Sequence, residues 1–227
     1  MQAMTRQQEH IDLARARRNM VENQVRPWEV LDARVLDALG SLPRESFVPP
    51  AYRALAYADM ALPIAHGEVM MKPVVEGRAL QALDVQAGDE VLEIGTGSGY
   101  FCACLAKLGG QVTSVERHED LVDTARARLR AAGIANTELV HADALGDFRP
   151  GKEFDAIAVT GAVAQVPQRF REWLKPGGRL FVVAGAEPAM RALLLRRDPD
   201  GGFSEERLFE TDLPCLAGAE PRRHFNL

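Results

Sequence analysis

The stretch VLEIGTGSGYFCACLAKLG, residues 91–109, is the most informative part of this chain. An apolar run of strand type leads into three glycines at alternate positions, Gly95, Gly97 and Gly99, and a helical pattern follows at once. Glycines allow a sharp turn, and they allow a ligand to approach the N–H groups at the start of a helix. The stretch predicts a strand, a turn and a helix with a ligand over the turn; the alternative is a tight turn without a ligand.

Around this stretch, short apolar runs alternate with helical patterns. The runs that read as strands are 111–116, 137–143, 154–162 and 177–185, and the helical patterns are 121–133 and 167–174. Such alternation predicts crossover units and a doubly wound, mostly parallel α/β sheet that is covered on both faces. Near the end, the turn signal DPDGG lies between the strand-like runs ALLLRRD and RLFETDL, so the sheet is predicted to finish in an antiparallel hairpin.

The first third of the chain predicts helices. Apolar residues recur at one-face helical spacing within residues 5–42, for example at Leu31, Val35 and Leu39. Prolines then interrupt the pattern, and residues 51–72 look irregular. A further helix is expected to begin at Pro73, a residue type suited to the first helical position, and to end near Leu83.

Composition limits the classes of function. A chain of 227 residues with 47% hydrophobic residues is expected to form a large folded core, and its net charge of -5 argues against a general nucleic-acid binder. Basic runs at 15–18 and 222–224 are short and are interpreted as solvated. Cys102, Cys104 and Cys215 lack the spacing of a disulfide framework or a metal site. Without an export signal or an apolar run of membrane-spanning length, we expect a cytoplasmic protein with no membrane contact. The oligomeric state stays open.

The glycine spacing limits the identity of the ligand. A dinucleotide fingerprint would need a third glycine at position 100, which is Tyr100, so GxGxG fits a nucleoside ligand without a pyrophosphate better. Glu116 ends the next predicted strand and is placed to accept ribose hydroxyls, the alternative being a solvated surface carboxylate. Asp143 ends the following strand and could meet an adenine amino group, with a helix cap as the alternative. One ligand would then lie across three strand ends.

These residues carry a family resemblance. The motifs LEIGTGSGY, SVE, FDAIAVTGA and LKPGGRL resemble those of class I S-adenosylmethionine-dependent methyltransferases. More narrowly, LPRESFVP, AYADMALPI and VLEIGTGSGY are similar to the protein-L-isoaspartate O-methyltransferase family, over roughly residues 15–185. The resemblance implies a seven-stranded Rossmann-like fold, S-adenosyl-L-methionine as cofactor, and isoaspartyl residues of a protein or peptide as acceptor. It divides the chain into residues 1–75, with the N-terminal helices and a substrate loop packed on the main domain, and a cofactor-binding domain, 76–227.

The resemblance also implies site residues. Glu93 would support the glycine turn or the amino group of the cofactor, unless it only caps local N–H groups. The implied cofactor-binding positions are Glu93, Gly95, Thr96, Gly97, Ser98, Gly99, Glu116, Arg117, Asp143, Ala144 and Thr160. The implied acceptor positions are Gly67, Met71 and Pro73.

The substrate loop departs from the family pattern. The family segment reads like GQTISQP, whereas residues 67–73 read GEVMMKP, so Val69 and Met71 replace hydroxyl residues. Either backbone N–H groups of the loop hold the acceptor carboxylate, or the site suits a less polar acceptor; Met70 and Met71 could also be core residues. Lys72 could attract an acidic acceptor and His66 could donate a hydrogen bond, although both could simply be solvated.

Three hypotheses follow from the sequence. The first is an isoaspartyl carboxyl O-methyltransferase. The second keeps the cofactor but takes a less polar small molecule as acceptor, and the third is a cofactor-binding protein with little turnover. The C-terminus is a second departure, because a family strand resembling VRFVPL is expected to help close the cleft, and this chain instead has PCLAGAE followed by PRRHFNL.

Overall fold

The computed structural model describes residues 13–186, 188 and 190–221. The helices are α1 (13–20), α2 (Ala33–Ser41), α3 (Pro73–Leu83), α4 (Tyr100–Lys107), α5 (Glu119–Ala131) and α6 (Gln168–Glu172). The strands are β1 (Leu62–Pro63), β2 (Val69–Met70), β3 (Glu90–Ile94), β4 (Gln111–Glu116), β5 (Thr137–His141), β6 (Phe154–Val163), β7 (Leu174–Ala184), β8 (Arg191–Arg197) and β9 (Phe203–Glu210).

Seven of the strands form one twisted sheet in the order β5-β4-β3-β6-β7-β8-β9. The strands from β3 to β7 run parallel to their neighbours, and β8 and β9 are each antiparallel to the strand before them. The turn between β8 and β9 is formed by the predicted DPDGG segment. The doubly wound, mostly parallel sheet with an antiparallel C-terminal hairpin is therefore confirmed.

The central strands are apolar because both faces of the sheet are covered. In β3, Val91 packs into the core cluster that contains residues of α2, α3 and α4, whereas Leu92 and Ile94 pack into the cluster on the opposite face with Phe170 of α6. Successive side chains of a strand point to opposite faces, so this division follows the two-residue period. The parallel strands consequently have all their carboxyl ends on one edge, where α4 and α5 begin.

The N-terminal part follows the prediction with some interruptions. The helical turns of α1 continue through a π-helical turn, Val21–Val25, and a short 3-10 turn, Arg26–Trp28, and they stop at Glu29, which has a left-handed φ of 63°. Helix α3 begins at Pro73 and ends at Leu83, as expected. The segment expected to be irregular holds a 3-10 turn, Pro50–Leu55, and the two-residue pair β1 and β2.

Some sequence predictions fall on residues that the structure does not describe. These are the start of the predicted N-terminal helix, residues 5–12, and the basic run 222–224 with the rest of the PRRHFNL tail. Over the described residues, a single buried cluster includes Met20 of α1, Met71 of the substrate loop and Phe181 of the sheet. The division of the chain at residue 75 stays a prediction. No helix within 13–186 or 190–221 has both the length and the apolar character needed to cross a bilayer.

Candidate active site

A cleft lies at the carboxyl ends of β3, β4 and β6, which is where ligands bind in open parallel sheets. The volume of the cleft is about 820 Å³, including the part that is open to solvent. The predicted site residues that line it are Gly95, Thr96, Gly97, Ser98, Glu116, Arg117, Asp143, Ala144, Thr160 and Met71. The predicted residues outside its lining are Gly67, Pro73, Glu93 and Gly99. The predicted residues that line the cleft come from five separate segments of the chain.

The glycine turn needs its glycines for geometric reasons. Gly95, Gly97 and Gly99 have φ angles of 95°, 50° and 84°, a region that residues with a Cβ atom rarely adopt. At Gly95 a Cβ atom would also lie 2.3 Å from the Oγ1 atom of Thr160. The Thr160 hydroxyl donates to the backbone oxygen of Gly95 at 2.6 Å and so holds the turn against β6.

Glu116, at the end of β4, faces the glycine turn. Its Oε2 atom accepts the backbone N–H of Gly97 at 3.0 Å, and its Oε1 atom accepts the N–H of His118 at 3.1 Å. The side chain is only 6% exposed, yet it lines the cleft. Each carboxylate oxygen keeps a lone pair for a further donor, so the arrangement can accept two ligand hydroxyls.

Asp143 follows β5 and forms a local turn. Its Oδ1 atom accepts the N–H of Leu145 at 2.8 Å, and its own N–H donates to Asp147 at 2.9 Å. The next residue, Ala144, is fixed by Arg169, which donates to its carbonyl oxygen at 3.1 Å. Asp143 thus combines a turn-forming role with a place in the cleft lining.

Glu93 lies behind the turn rather than in the cleft. It is fully buried, and its Oε2 atom accepts a hydrogen bond from the Ser114 hydroxyl, which lies 2.5 Å from the hydroxyl of Thr96. The Oε1 atom has no hydrogen-bond partner among the described residues. Burial raises the pKa of Glu93 to about 8, although the Ser114 hydrogen bond opposes the shift. Glu93 is therefore placed to support the turn through Ser114 and Thr96.

The opposite wall of the cleft is the substrate loop, and it is apolar except for Glu68. Val69, Met70 and Met71 all line the cleft, and the two methionines are each 4% exposed. Met70 pairs with Leu62 across the β1–β2 ladder, which fixes the direction of the loop. Both methionines also belong to the buried core cluster. The two methionines thus line the cleft and also belong to the core, so both interpretations of the sequence apply.

Lys72 and His66 have partners elsewhere. The Nζ atom of Lys72 lies 2.6 Å from Oδ1 of Asp212. The ring of His66 stacks on that of His118 with centroids 4.0 Å apart, and its Nε2 atom lies 2.7 Å from Oδ1 of Asp120. Neither residue lines the cleft. The pairing of His66 instead fastens the substrate loop to the first turn of α5.

The C-terminal segment, residues 213–219, closes the third side of the cleft. Ala162 in β6 donates its N–H to Pro214 and accepts the N–H of Leu216, each at 2.8 Å, so the segment runs as a short parallel extension of the sheet. Arg117 donates to the carbonyl oxygen of Ala217 at 3.2 Å. Leu216 and Ala217 line the cleft. This segment therefore borders the cleft, although its sequence differs from the family strand VRFVPL that was expected there.

Several lining residues were missed from the sequence. They include Ile64, Glu68, Glu76, Phe101, Leu216 and Ala217. Glu68 is adjacent to the loop positions that the resemblance did identify. Its pKa is raised, mainly by burial and to a lesser extent by the nearby charge of Glu116. Glu76 lies one turn into α3, where a buried carboxylate is not expected from the sequence. No sequence motif or periodicity marks Leu216 as a residue of the cleft.

Comparisons with known proteins agree with this geometry. The sequence profile of the Protein-L-isoaspartate(D-aspartate) O-methyltransferase (PCMT) family matches residues 15–214. The chain belongs to this family. Protein-L-isoaspartate O-methyltransferase 1 of Rhodopseudomonas palustris (strain HaA2) is 40% identical over 208 residues, covering 91% of this chain and 85% of the relative. The protein-L-isoaspartate O-methyltransferase of Aeropyrum pernix is 40% identical over 207 residues, covering 89% and 80%.

A solved structure has the same fold. A Plasmodium falciparum protein assigned to the protein-L-isoaspartate O-methyltransferases, crystallised with S-adenosyl-L-homocysteine, superposes with a TM-score of 0.77. The match covers 88% of this chain and 97% of that chain at 20% identity. Members of the PCMT family are S-adenosylmethionine-dependent O-methyltransferases, so the predicted enzyme class and cofactor are confirmed.

Proposed function

We propose that this PCMT-family chain methylates the free carboxylate of isoaspartyl residues in proteins or peptides, with S-adenosyl-L-methionine as methyl donor. The observation that carries the proposal is the placement of two walls in one cleft. The glycine turn with Glu116 forms one wall, and the substrate loop with Val69 and Met71 forms the other. A donor held on the first wall would face an acceptor held on the second.

The residues of the first wall fit the nucleoside part of the donor. Glu116 has free lone pairs at the end of β4, where a ribose would lie across the strand ends. Asp143 and Ala144 border the same cleft at the end of β5, on the side where the adenine would lie. Gly95, Gly97 and Ser98 leave room for the methionine end above the turn, and Arg117 and Thr160 complete the lining.

Methyl transfer to a carboxylate requires the protein mainly to align the two reactants. A carboxylate is ionised at neutral pH, so no general base is needed. In the transfer, a carboxylate oxygen bonds to the methyl carbon while the electron pair of the broken carbon–sulfur bond stays on sulfur, giving a methyl ester and S-adenosylhomocysteine. Holding two reactants close and in line contributes most of the rate. The two walls would supply that alignment.

The missing hydroxyls of the loop lower the expected rate without removing the reaction. A hydrogen bond to a charged group contributes about 1.5 to 3 kcal/mol, which corresponds to roughly a ten- to hundredfold change in rate. With Val69 and Met71 in these positions, backbone N–H groups of the loop would hold the acceptor carboxylate. Gly67, with a left-handed φ of 78°, and Pro73, at the start of α3, would fix the two ends of the loop.

The test is methylation of an isoaspartyl peptide with labelled donor. We expect a base-labile methyl ester, and no product with the matched peptide that contains normal aspartate. If the protein binds S-adenosylhomocysteine in calorimetry but forms no ester on any isoaspartyl peptide, the proposed acceptor is wrong.

A second acceptor class is favoured by the apolar loop. Met71 is nearly buried and occupies the wall where a carboxylate would be held, and desolvating a charge against a thioether is unfavourable. A less polar small molecule would avoid this penalty. Incubating a cell extract with labelled donor and separating small molecules from proteins distinguishes the two classes. Label in small molecules alone would favour the second class.

A further inference from the structure

Arg44, in the LPRESFVP motif, is completely buried next to the cleft. Its Nη2 atom donates to the backbone oxygen of Met71 at 2.8 Å, and its Nη1 atom donates to the carboxylate of Glu76. The planar guanidinium lies over the ring of Tyr100, 4.7 Å from the centroid. One side chain thus contacts the substrate loop, helix α3 and the first residue of α4.

These contacts join the two walls of the cleft. Tyr100 directly follows Gly99, so it begins the helix that the glycine turn opens. Met71 is the last residue of the apolar loop segment before Lys72 and α3. The planar guanidinium, with one arm on Met71 and its face on the Tyr100 ring, therefore sets how far the loop lies from the turn.

A purely structural explanation accounts for only part of this arrangement. A buried ion pair is weak support for stability, since two apolar side chains of similar volume often do as well or better. The ion pair with Glu76 neutralises the charge of Arg44 through Nη1, but it does not require the hydrogen bond that Nη2 makes. That hydrogen bond goes to the carbonyl of Met71, the position where the family has its acceptor-holding hydroxyl.

We propose that Arg44 is a positioning residue for methyl transfer, which holds the Met71 backbone at a fixed distance from the glycine turn. The proposal rests on the proposed function for its rate effect, and on the loop geometry alone for its structural effect. Arg44 does not line the cleft, so it acts through Met71 and not on the reactants. We expect it to affect the chemical step and not the binding of the cofactor.

The first test is Arg44→Lys. A lysine ammonium keeps the charge opposite Glu76 but lacks the fork that reaches two acceptors in fixed directions. We expect kcat with an isoaspartyl peptide to fall by about ten- to hundredfold, as for a misplaced reactant. The dissociation constant of S-adenosylhomocysteine, measured by calorimetry, should stay unchanged.

A matched control exists at the other end of α3. Arg179 donates from Nε to the carbonyl oxygen of Leu83 and from Nη2 to the carboxylate of Asp89, and none of these residues lines the cleft. Arg179→Lys removes the same kind of fork. It should lower the melting temperature and leave kcat unchanged.

A second pair of variants separates the loss of the Met71 contact from the loss of the buried ion pair. Glu76→Gln keeps the bond from Arg44 to Met71, whereas Arg44→Met/Glu76→Gln removes it and leaves no buried charge. The two share the same change in the cleft lining, so the difference in kcat between them reports the Met71 contact. We expect the double variant to be slower by about tenfold or more.

Hydrogen exchange tests the geometry independently of the acceptor. Ile64 N–H donates to Glu68 at 2.8 Å and Glu68 N–H donates to Ala65 at 3.1 Å, so these amides report opening of the loop. In Arg44→Lys they should exchange about tenfold faster than in the wild type and in Arg179→Lys. If the wild type methylates no isoaspartyl peptide, the proposed function fails while this readout still tests the role of Arg44.

Two outcomes would overturn the proposal. One is unchanged kcat in the folded variants that lack the Met71 contact, whatever the exchange rates. The other is a loss of cofactor affinity as large as the loss of kcat, since Arg44 would then act through the glycine turn.

Discussion

The carboxylate of Glu116 and the backbone N–H of Gly97 form a 3.0 Å hydrogen bond that joins the end of β4 to the glycine turn. The same carboxylate borders the cleft. One side chain therefore shapes the turn and presents carboxylate oxygens to the cleft. Neutralising it tests both effects.

Glu116→Gln should weaken cofactor binding. An amide has one acceptor oxygen, so either Gly97 or His118 loses its partner, and the charge that would accept ribose hydroxyls disappears. We expect the dissociation constant of S-adenosylhomocysteine to rise about ten- to hundredfold. Calorimetry measures it, with Glu119→Gln on the exposed first turn of α5 as control. Equal affinities in the two variants would contradict the assignment.

Met71→Ser should raise activity and lower stability. The hydroxyl restores the family's hydrogen bond to the acceptor, which predicts about a tenfold gain in kcat/KM with an isoaspartyl peptide. The loss of a buried thioether should destabilise the fold by about 2 to 5 kcal/mol. Met70→Ser is the control, because Met70 has the same 4% exposure but belongs to the β1–β2 ladder. It should lose stability without gaining activity; identical kinetics in both variants would rule out a special role for position 71.

Glu93→Gln should flatten the dependence of stability on pH. Burial raises the pKa of Glu93 from its ordinary value of 4.5 to about 8. Between these values the folded state holds a proton that the unfolded state has released, so the free energy of unfolding falls as pH rises, by up to about 1.4 kcal/mol per pH unit. Below that window both states are protonated, and above it neither is.

Urea unfolding from pH 5 to pH 8 measures this contribution. The stability of Glu93→Gln relative to the wild type should increase steadily with pH. Glu90→Gln, at the half-buried start of the same strand, is the control for replacing a glutamate of β3. Parallel curves for all three proteins would show that Glu93 does not titrate in this window.

Gly95→Ala should destabilise the turn in a way that depends on Thr160. The new Cβ atom would lie 2.3 Å from the Thr160 hydroxyl, in addition to the strain of a φ of 95°. We expect a loss of about 2 to 4 kcal/mol, against about 1 to 2 kcal/mol for Gly133→Ala, where φ is 71° and the space is open. Adding Thr160→Ala should recover about 1 kcal/mol or more relative to additivity. Strictly additive losses would exclude the clash.

The parts of the site that the sequence predicted depend on local patterns. Gly95, Gly97 and Gly99 follow an apolar run directly, and Glu116 ends the next one. Because the carboxyl ends of parallel strands share one edge, strand order alone brings these residues together. The location of Glu93 behind the turn was also accessible, since it shares the face of Val91 in β3 and not that of Ile94.

The remaining parts depend on contacts that leave no local pattern. Leu216 reaches the cleft because backbone groups of 213–219 bond to Ala162, and such bonds do not depend on side-chain type. Arg44 is 27 residues from Met71, and full burial of an arginine opposes the usual preference of that residue for the surface. No periodicity in the sequence marks either contact.

Two short stretches, 62–71 and 213–219, border the cleft, and neither belongs to the parallel core of the sheet. Under the proposed function, these stretches can be changed to alter the acceptor while the strands and the glycine turn that would hold the donor stay the same. Grafting both stretches together from a relative, with Arg44 retained, is accordingly the smallest unit of redesign for acceptor choice in this scaffold.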